Sequence, residues 1–194
     1  MAAGLLSHKK IIESIPNVQV KLTDFYPNLE AFKKTQQEFP HLFDYVETPV
    51  DATDVPENLV GLRTQFLSFH HFKPEAAKKI LQNAVNARQP IAVFEAVERN
   101  AEGIVTALGV PLTTYALTPF IKPFSLKRLF YTYVFPVVPF FTGFDGFVSV
   151  FRMYSQEEMK ALVDSLHNTE KFEWEIGLKR NGIMSVQYLL GYPK

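Results

Sequence analysis

A chain of 194 residues amounts to a little over one domain at roughly 150 residues each, and it is long enough to bury a sizeable core. Hydrophobic residues make up 47% and charged ones 21%, with 20 basic against 20 acidic side chains, which argues against both a disordered chain and a general electrostatic attraction to nucleic acid. The absence of cysteine excludes disulfide frameworks, thiolate nucleophiles and Cys-ligated metal centres, so any metal would need His and carboxylates.

In chain order, residues 1–16 lack the continuous apolar core of a signal peptide, because Ser7, His8, Lys9 and Lys10 interrupt the few apolar positions; a cytoplasmic location is expected. Val18, Val20 and Leu22 alternate with polar residues and predict a strand closing at Asp24. Asn28 is a good N-cap for a helix over 28–39, in which Leu29, Phe32 and Phe39 share a face. A short strand near 42–47 leads to Asp51-Ala52, a turn at Pro56 and an apolar-rich strand from Leu62 to Phe69. Pro74 suits a first helical position, and Ala77, Ile80, Leu81, Ala84 and Val85 follow the spacing of a helix covering one face of a sheet. Pro90 opens Ile91-Ala92-Val93-Phe94, an apolar run of the kind buried on both faces in a parallel sheet, closing at Glu95.

From Gly103 to Phe144 the composition changes: there is no Asp or Glu, and Lys122, Lys127 and Arg128 carry the only charges among five prolines and ten aromatics. The uncharged stretch from Gly103 to Ile121 approaches the length of a bilayer span, but Pro111, Pro119 and four threonines make it a poor one. The mix of aromatics and cations after Phe120 suits a membrane interface or a cap over an apolar pocket, and packing on the sheet or on a second subunit is the structural alternative. Ser155 and Glu158 then form a capping box, followed by Met159, Leu162, Val163 and Leu166 on one stripe. Phe172, Trp174, Ile176 and Leu178 alternate into a type I′ turn at Asn181-Gly182, with Val186 to Leu190 returning as the partner strand. Repeated strand–helix alternation implies βαβ units, so an α/β fold is expected, ending in an antiparallel hairpin.

Ligands of such sheets bind beyond the carboxyl ends of the strands, and the strand-ending residues here are polar: Asp24, Asp51, His70-His71 and Glu95. Asp24 offers two acceptor oxygens that match a vicinal diol, and it suits a solvated turn equally well. Adjacent histidines point in different directions and no third ligand has helical spacing to them, so a zinc site is set aside in favour of one packed and one pocket-facing histidine. There is no Gly-x-Ser-x-Gly elbow, and the nine scattered glycines form neither a dinucleotide fingerprint nor a phosphate loop.

The run Thr23-Asp24-Phe25-Tyr26-Pro27-Asn28, then Pro49-Val50-Asp51-Ala52, Phe69-His70-His71-Phe72, Pro90-Ile91-Ala92-Val93-Phe94-Glu95, and Phe144-Asp145-Gly146 with Arg152 and Tyr154, resembles the consecutive landmarks of class I S-adenosylmethionine-dependent methyltransferases, in particular a bacterial branch with a long hydrophobic insertion. The resemblance runs from about residue 3 to the C-terminus. It implies a Rossmann-like layered sheet, mostly parallel with the terminal antiparallel hairpin, in a single domain over 1–194 with residues 103–144 inserted as a lid or an interface. It also implies that Asp24 binds the ribose hydroxyls of S-adenosylmethionine, Phe25 lies along the adenine, Asp51 and Ala52 sit at the adenine edge, Phe69 and His70 line the methionine side, and Gly4 is the tail of a glycine-rich loop.

Methyl transfer from a sulfonium relies on alignment more than on acid–base groups, so a dedicated base need not be visible. His71, Glu95 and Arg152 are the candidates to orient or deprotonate a substrate, and each has a structural alternative. The family's first, central strand and most of its glycine-rich loop have no counterpart upstream of Leu5. The expectation is therefore either a piece of a longer enzyme or a chain whose flanking strands close up with loss of cofactor affinity. The leading reading is methyl transfer to a small apolar acceptor, with membrane contact or a homodimer through 103–144. A non-catalytic binding or dimerisation module derived from a methyltransferase is the alternative.

Overall fold

The computed structural model describes residues 18–95, 99–181 and 184–194. They fall into two compact units divided between Leu59 and Val60.

In the first unit, β1 (Val20–Leu22) and β2 (Phe43–Tyr45) pair in parallel, Val20 opposite Phe43 and Leu22 opposite Tyr45. Helix α1 (Leu29–Glu38) connects them, completing one βαβ unit. Asn28 caps α1 as its residue type predicts, its Oδ1 accepting the Ala31 N–H at 3.0 Å. The predicted apolar face is only lightly used: no residue of α1 is buried, and Phe39 is the C-cap rather than a helical residue. Among the described residues of this unit, Leu42, Phe43 and Val50 are the buried apolar side chains. The first strand is shorter than its alternation suggests and stops before Asp24, which lies in the turn that follows.

The second unit carries a four-stranded sheet in the order β3 (Arg63–Phe66), β4 (Ile91–Glu95), β6 (Met184–Pro193), β5 (Phe172–Asn181). β3 and β4 are parallel, whereas β6 runs antiparallel to both of its neighbours. Among the described residues no strand pairs with both β1 and β3, so the strands form two sheets. The strand expected over Leu62 to Phe69 is corrected to Arg63–Phe66, and Phe69–His71 form a 3-10 turn. Leu67 explains the difference: its φ of 53° lies in the left-handed region, which no strand continues through. His70 and His71 therefore follow the strand instead of ending it.

Helix α2 (Pro74–Asn86) buries Ala77, Ile80, Leu81, Ala84 and Val85, the stripe that its spacing predicts. In β4, Ile91, Ala92 and Val93 are buried in succession, as expected for a strand covered on both faces. The hairpin's predicted turn at Asn181-Gly182 lies outside the described residues at Gly182. Its ladder closes with Asn181 opposite Met184 and runs to Phe172 opposite Pro193.

The charge-poor segment is helical: α3 (Ala101–Leu117), α4 (Leu126–Leu129) continuing into a π-helical turn at Phe130–Val134, and α5 (Val137–Arg152). α3 continues past Pro111, one of the residues that make this stretch a poor spanning helix. Pro111 sits against Gly143 of α5, where an added Cβ would come within 2.6 Å of the proline Cγ, so glycine leaves the ring its room. Helix α6 (Gln156–Asp164) begins with the predicted capping box: Ser155 Oγ accepts the Glu158 N–H at 3.2 Å, and Glu158 Oε2 accepts the Ser155 N–H at 2.8 Å.

Candidate functional site

Within the first unit, the ends of β1 and β2 are brought to a single rim by the backbone. Val46 N–H donates to Leu22 O at 3.0 Å and Val50 N–H donates to Asp24 O at 2.9 Å, so the chain after β2 returns alongside the chain after β1. This places Asp24 and Asp51 near each other. Each carboxylate folds back on its own loop: Asp24 Oδ1 accepts the Tyr26 N–H at 2.8 Å, and Asp51 Oδ1 accepts both the N–H and the hydroxyl of Thr53 at 2.8 Å. The turns fix both side chains while leaving them exposed to solvent. Phe25 is 50% exposed, and its ring meets Tyr26 edge-on at 4.8 Å, so a flat aromatic surface stands beside the Asp24 carboxylate. Ala52 is half-buried in the same loop.

In the second unit, parallel pairing of β3 and β4 again puts both carboxyl ends on one edge. The 3-10 turn after β3 delivers His70 to Glu95 at the end of β4. His70 Nδ1 lies 2.9 Å from Glu95 Oε2, and the His70 backbone N–H donates to Glu95 Oε1 at 3.1 Å. Both side chains are almost wholly shielded from water, at 4% and 2% exposure. Both carboxylate oxygens of Glu95 are thereby engaged, as burial of such a group demands. The contact through Nδ1 fixes the orientation of the imidazole ring.

Glu95 is expected among the candidate catalytic groups and His70 on the cofactor side; the structure pairs them. The available signal was Glu95 itself, a carboxylate closing an otherwise apolar buried strand. His71 is exposed, its ring 4.2 Å from that of His70. Phe69 is fully buried, its ring 5.4 Å from Tyr154. Arg152 is exposed in the last turn of α5, and Gly4 lies outside the described residues.

Two further residues support this edge. Tyr154 donates its hydroxyl to Phe72 O at 2.6 Å, and its phenol is pushed above the usual tyrosine range by burial, with smaller contributions from the negative charges of Glu158 and Glu75. Gln187, paired opposite Glu95, donates to Tyr154 O at 2.8 Å. Helix α5 also packs against the 3-10 turn that carries His70. Among the described residues no three His, Asp or Glu side chains gather as a metal site.

Parallel β–α units whose polar residues collect beyond the strand ends, followed by an antiparallel hairpin, define a Rossmann-like α/β fold. Solved structures share it at low sequence identity. A protein from Rhodobacter sphaeroides described as a putative Zn-dependent alcohol dehydrogenase matches at a TM-score of 0.55 and 13% identity, over 100% of this chain and 82% of that one. LepI in complex with SAM matches at a TM-score of 0.51, and a LepI variant in complex with SAH and a substrate analogue at 0.50, both at 14% identity. Each LepI match covers 97% of this chain, which spans 40% of the LepI chain. No protein-family model and no curated protein sequence matches the chain.

Proposed function

We propose that the chain is methyltransferase-like, with S-adenosylmethionine as methyl donor and a small apolar molecule as acceptor. The observation that carries the reading is the rim at Asp24: a loop-fixed carboxylate, a second one at Asp51 brought beside it by the Val50–Asp24 hydrogen bond, and the exposed face of Phe25. The donor set fits an adenosine. Asp24 keeps Oδ2 and a lone pair on Oδ1 for ribose hydroxyls, Phe25 stacks along a purine, and Asp51 with Ala52 flanks the base edge. Its fold-level support is the likeness to LepI, which is solved with SAM and with SAH.

Bound S-adenosylmethionine supplies an electrophilic methyl group and needs mainly to be aligned with its acceptor. In the second unit the buried Glu95 carboxylate holds the His70 ring and its backbone N–H, and so fixes the turn after β3. On this reading Phe69, as a buried residue, supports the turn from beneath. The aromatic, charge-poor insertion supports an apolar acceptor.

Calorimetric titration of the chain with S-adenosylmethionine tests the reading. Saturable binding is expected, weakened at least about tenfold by Asp24→Ala, since a charged hydrogen-bond acceptor is worth roughly 1.5–3 kcal/mol. Absence of binding by the folded chain overturns it in favour of a binding module without cofactor.

A further inference from the structure

The helical insertion is packed inside out. α3 and α5 meet through small side chains: Gly146 lies 3.4 Å from Val110 at its would-be Cβ, Gly143 faces Pro111, and Thr114 and Thr142 share a hydroxyl hydrogen bond of 3.1 Å. The large apolar residues turn the other way. On α3, Val105, Leu108 and Leu112 lie opposite this contact and are 63–71% exposed; on α5, Phe140, Phe141 and Phe144 are 60–65% exposed. A water-soluble helix pair does the reverse, with large apolar groups inside. Small residues between helices and large ones outside suit helices whose outer faces meet lipid.

The connection between the two helices adds charge to this surface. Phe120, Phe124 and Leu126 are 66–79% exposed there, interleaved with Lys122, Lys127 and Arg128. A cavity of about 520 Å³ opens beside them, lined by Ser125, Lys127, Arg128, Tyr131, Val137 and Val138. The Arg128 guanidinium donates to Ile121 O at 2.5 Å and Pro123 O at 2.7 Å, yet its Nε is buried with no partner. Among the described residues none of the three cations forms an ion pair, and no Asp or Glu occurs from Gly103 to Phe144 to neutralise them.

From this combination we infer that the connection between α3 and α5 docks on an anionic phospholipid surface, its aromatics entering the headgroup boundary while Lys122, Lys127 and the Arg128 cavity receive lipid phosphate. Such aromatics reach roughly 5–10 Å into the boundary, and lysine heads snorkel to the phosphates above them. By length and composition Ala101–Phe120 could cross a bilayer, with a mean hydropathy of 1.3, as could Leu126–Val134 with Val137–Arg152, a pair bent by 73°; the exposed Asp145 in the middle of α5 disfavours a span by that helix and favours contact at the surface. A second copy of the chain answers these features poorly. Between Gly103 and Phe144 the copy brings no carboxylate to the cations.

The test is vesicle flotation of the full chain, independent of S-adenosylmethionine. Binding is expected to vesicles of phosphatidylcholine with phosphatidylglycerol and not to phosphatidylcholine alone. Lys122→Gln and Lys127→Gln each weaken partitioning about five-fold, while circular dichroism stays unchanged because both side chains are exposed. Phe120→Ser with Phe124→Ser abolishes retention at high salt. Failure to float with either vesicle overturns the proposal, as does equal binding to both. Release by inorganic phosphate at matched ionic strength reassigns the cavity to a soluble anion, and a concentration-dependent dimer without flotation assigns the surface to a second copy.

Discussion

Glu95 holds His70 at two points, through the imidazole Nδ1 at 2.9 Å and through the backbone N–H at 3.1 Å, so one buried carboxylate fixes both the ring and the turn that presents it. Glu95→Ala strands both donors in a water-excluded place and is expected to cost about 3–5 kcal/mol, read from chemical denaturation. Glu95→Gln retains one amide oxygen as acceptor and loses less. A double-mutant cycle with His70→Ala should show strong coupling; additive losses would show that the two residues do not act as a unit.

Gly191 faces Trp174 across the hairpin, and any Cβ at that position would run into the indole ring. Gly191→Ala should therefore destabilise by about 1–3 kcal/mol, lowering Tm by several degrees, although alanine is the better strand residue. Removing the ring as well, with Trp174→Leu, should erase the penalty of the alanine. If the alanine is neutral in the presence of Trp174, the close packing assigned to this pair is wrong.

The Ser155 cap makes a second stability prediction. Ser155→Ala is expected to cost about 1 kcal/mol by orphaning the Glu158 N–H at the start of α6. Glu158 is held below the usual glutamate range, first by the Ser155 N–H and then by its hydrogen bond to Arg99. Because its folded-state pKa is depressed, its contribution is present above the unfolded value near 4.3 and is lost as pH falls through the folded one. The stability difference between the native chain and Glu158→Gln should accordingly shrink as pH drops below about 4. A difference that grows on acidification would reverse the sign assigned here.

In the main core, Leu81 is fully buried on α2, and Leu81→Ala should cost about 2–5 kcal/mol in denaturant titrations. Leu29→Ala on α1, 42% exposed, should change stability by under about 0.5 kcal/mol. Comparable losses at the two sites would contradict the burial assigned to them.

What local chemistry decides was legible in the sequence. The α2 stripe, the capping box at Ser155, the Asn28 cap, the β4 run and the hairpin alternation each depend on spacings of a few residues, and each appears in the fold. What distant neighbours decide was not legible. The strand after Leu62 ends early because Leu67 turns to a positive φ, which no pattern of apolar residues announces. α3 continues through Pro111, whose ring packs against Gly143, a partner more than thirty positions along the chain. At the site, the polar strand ends could be named individually. The engagement of Glu95 with His70, and the return of the chain after β2 onto Asp24, depend on tertiary hydrogen bonds that residue type alone leaves unassigned.

The position of β6 has a consequence for biosynthesis. It follows every other strand of its sheet in the chain, yet it lies between β4 and β5 and pairs with both. Until residues 184–193 have left the ribosome, β4 keeps an open hydrogen-bonding side, and the apolar helices α3 and α5 have already emerged. The nascent chain thus passes through an interval in which an unpaired strand edge and exposed apolar surface invite non-native association.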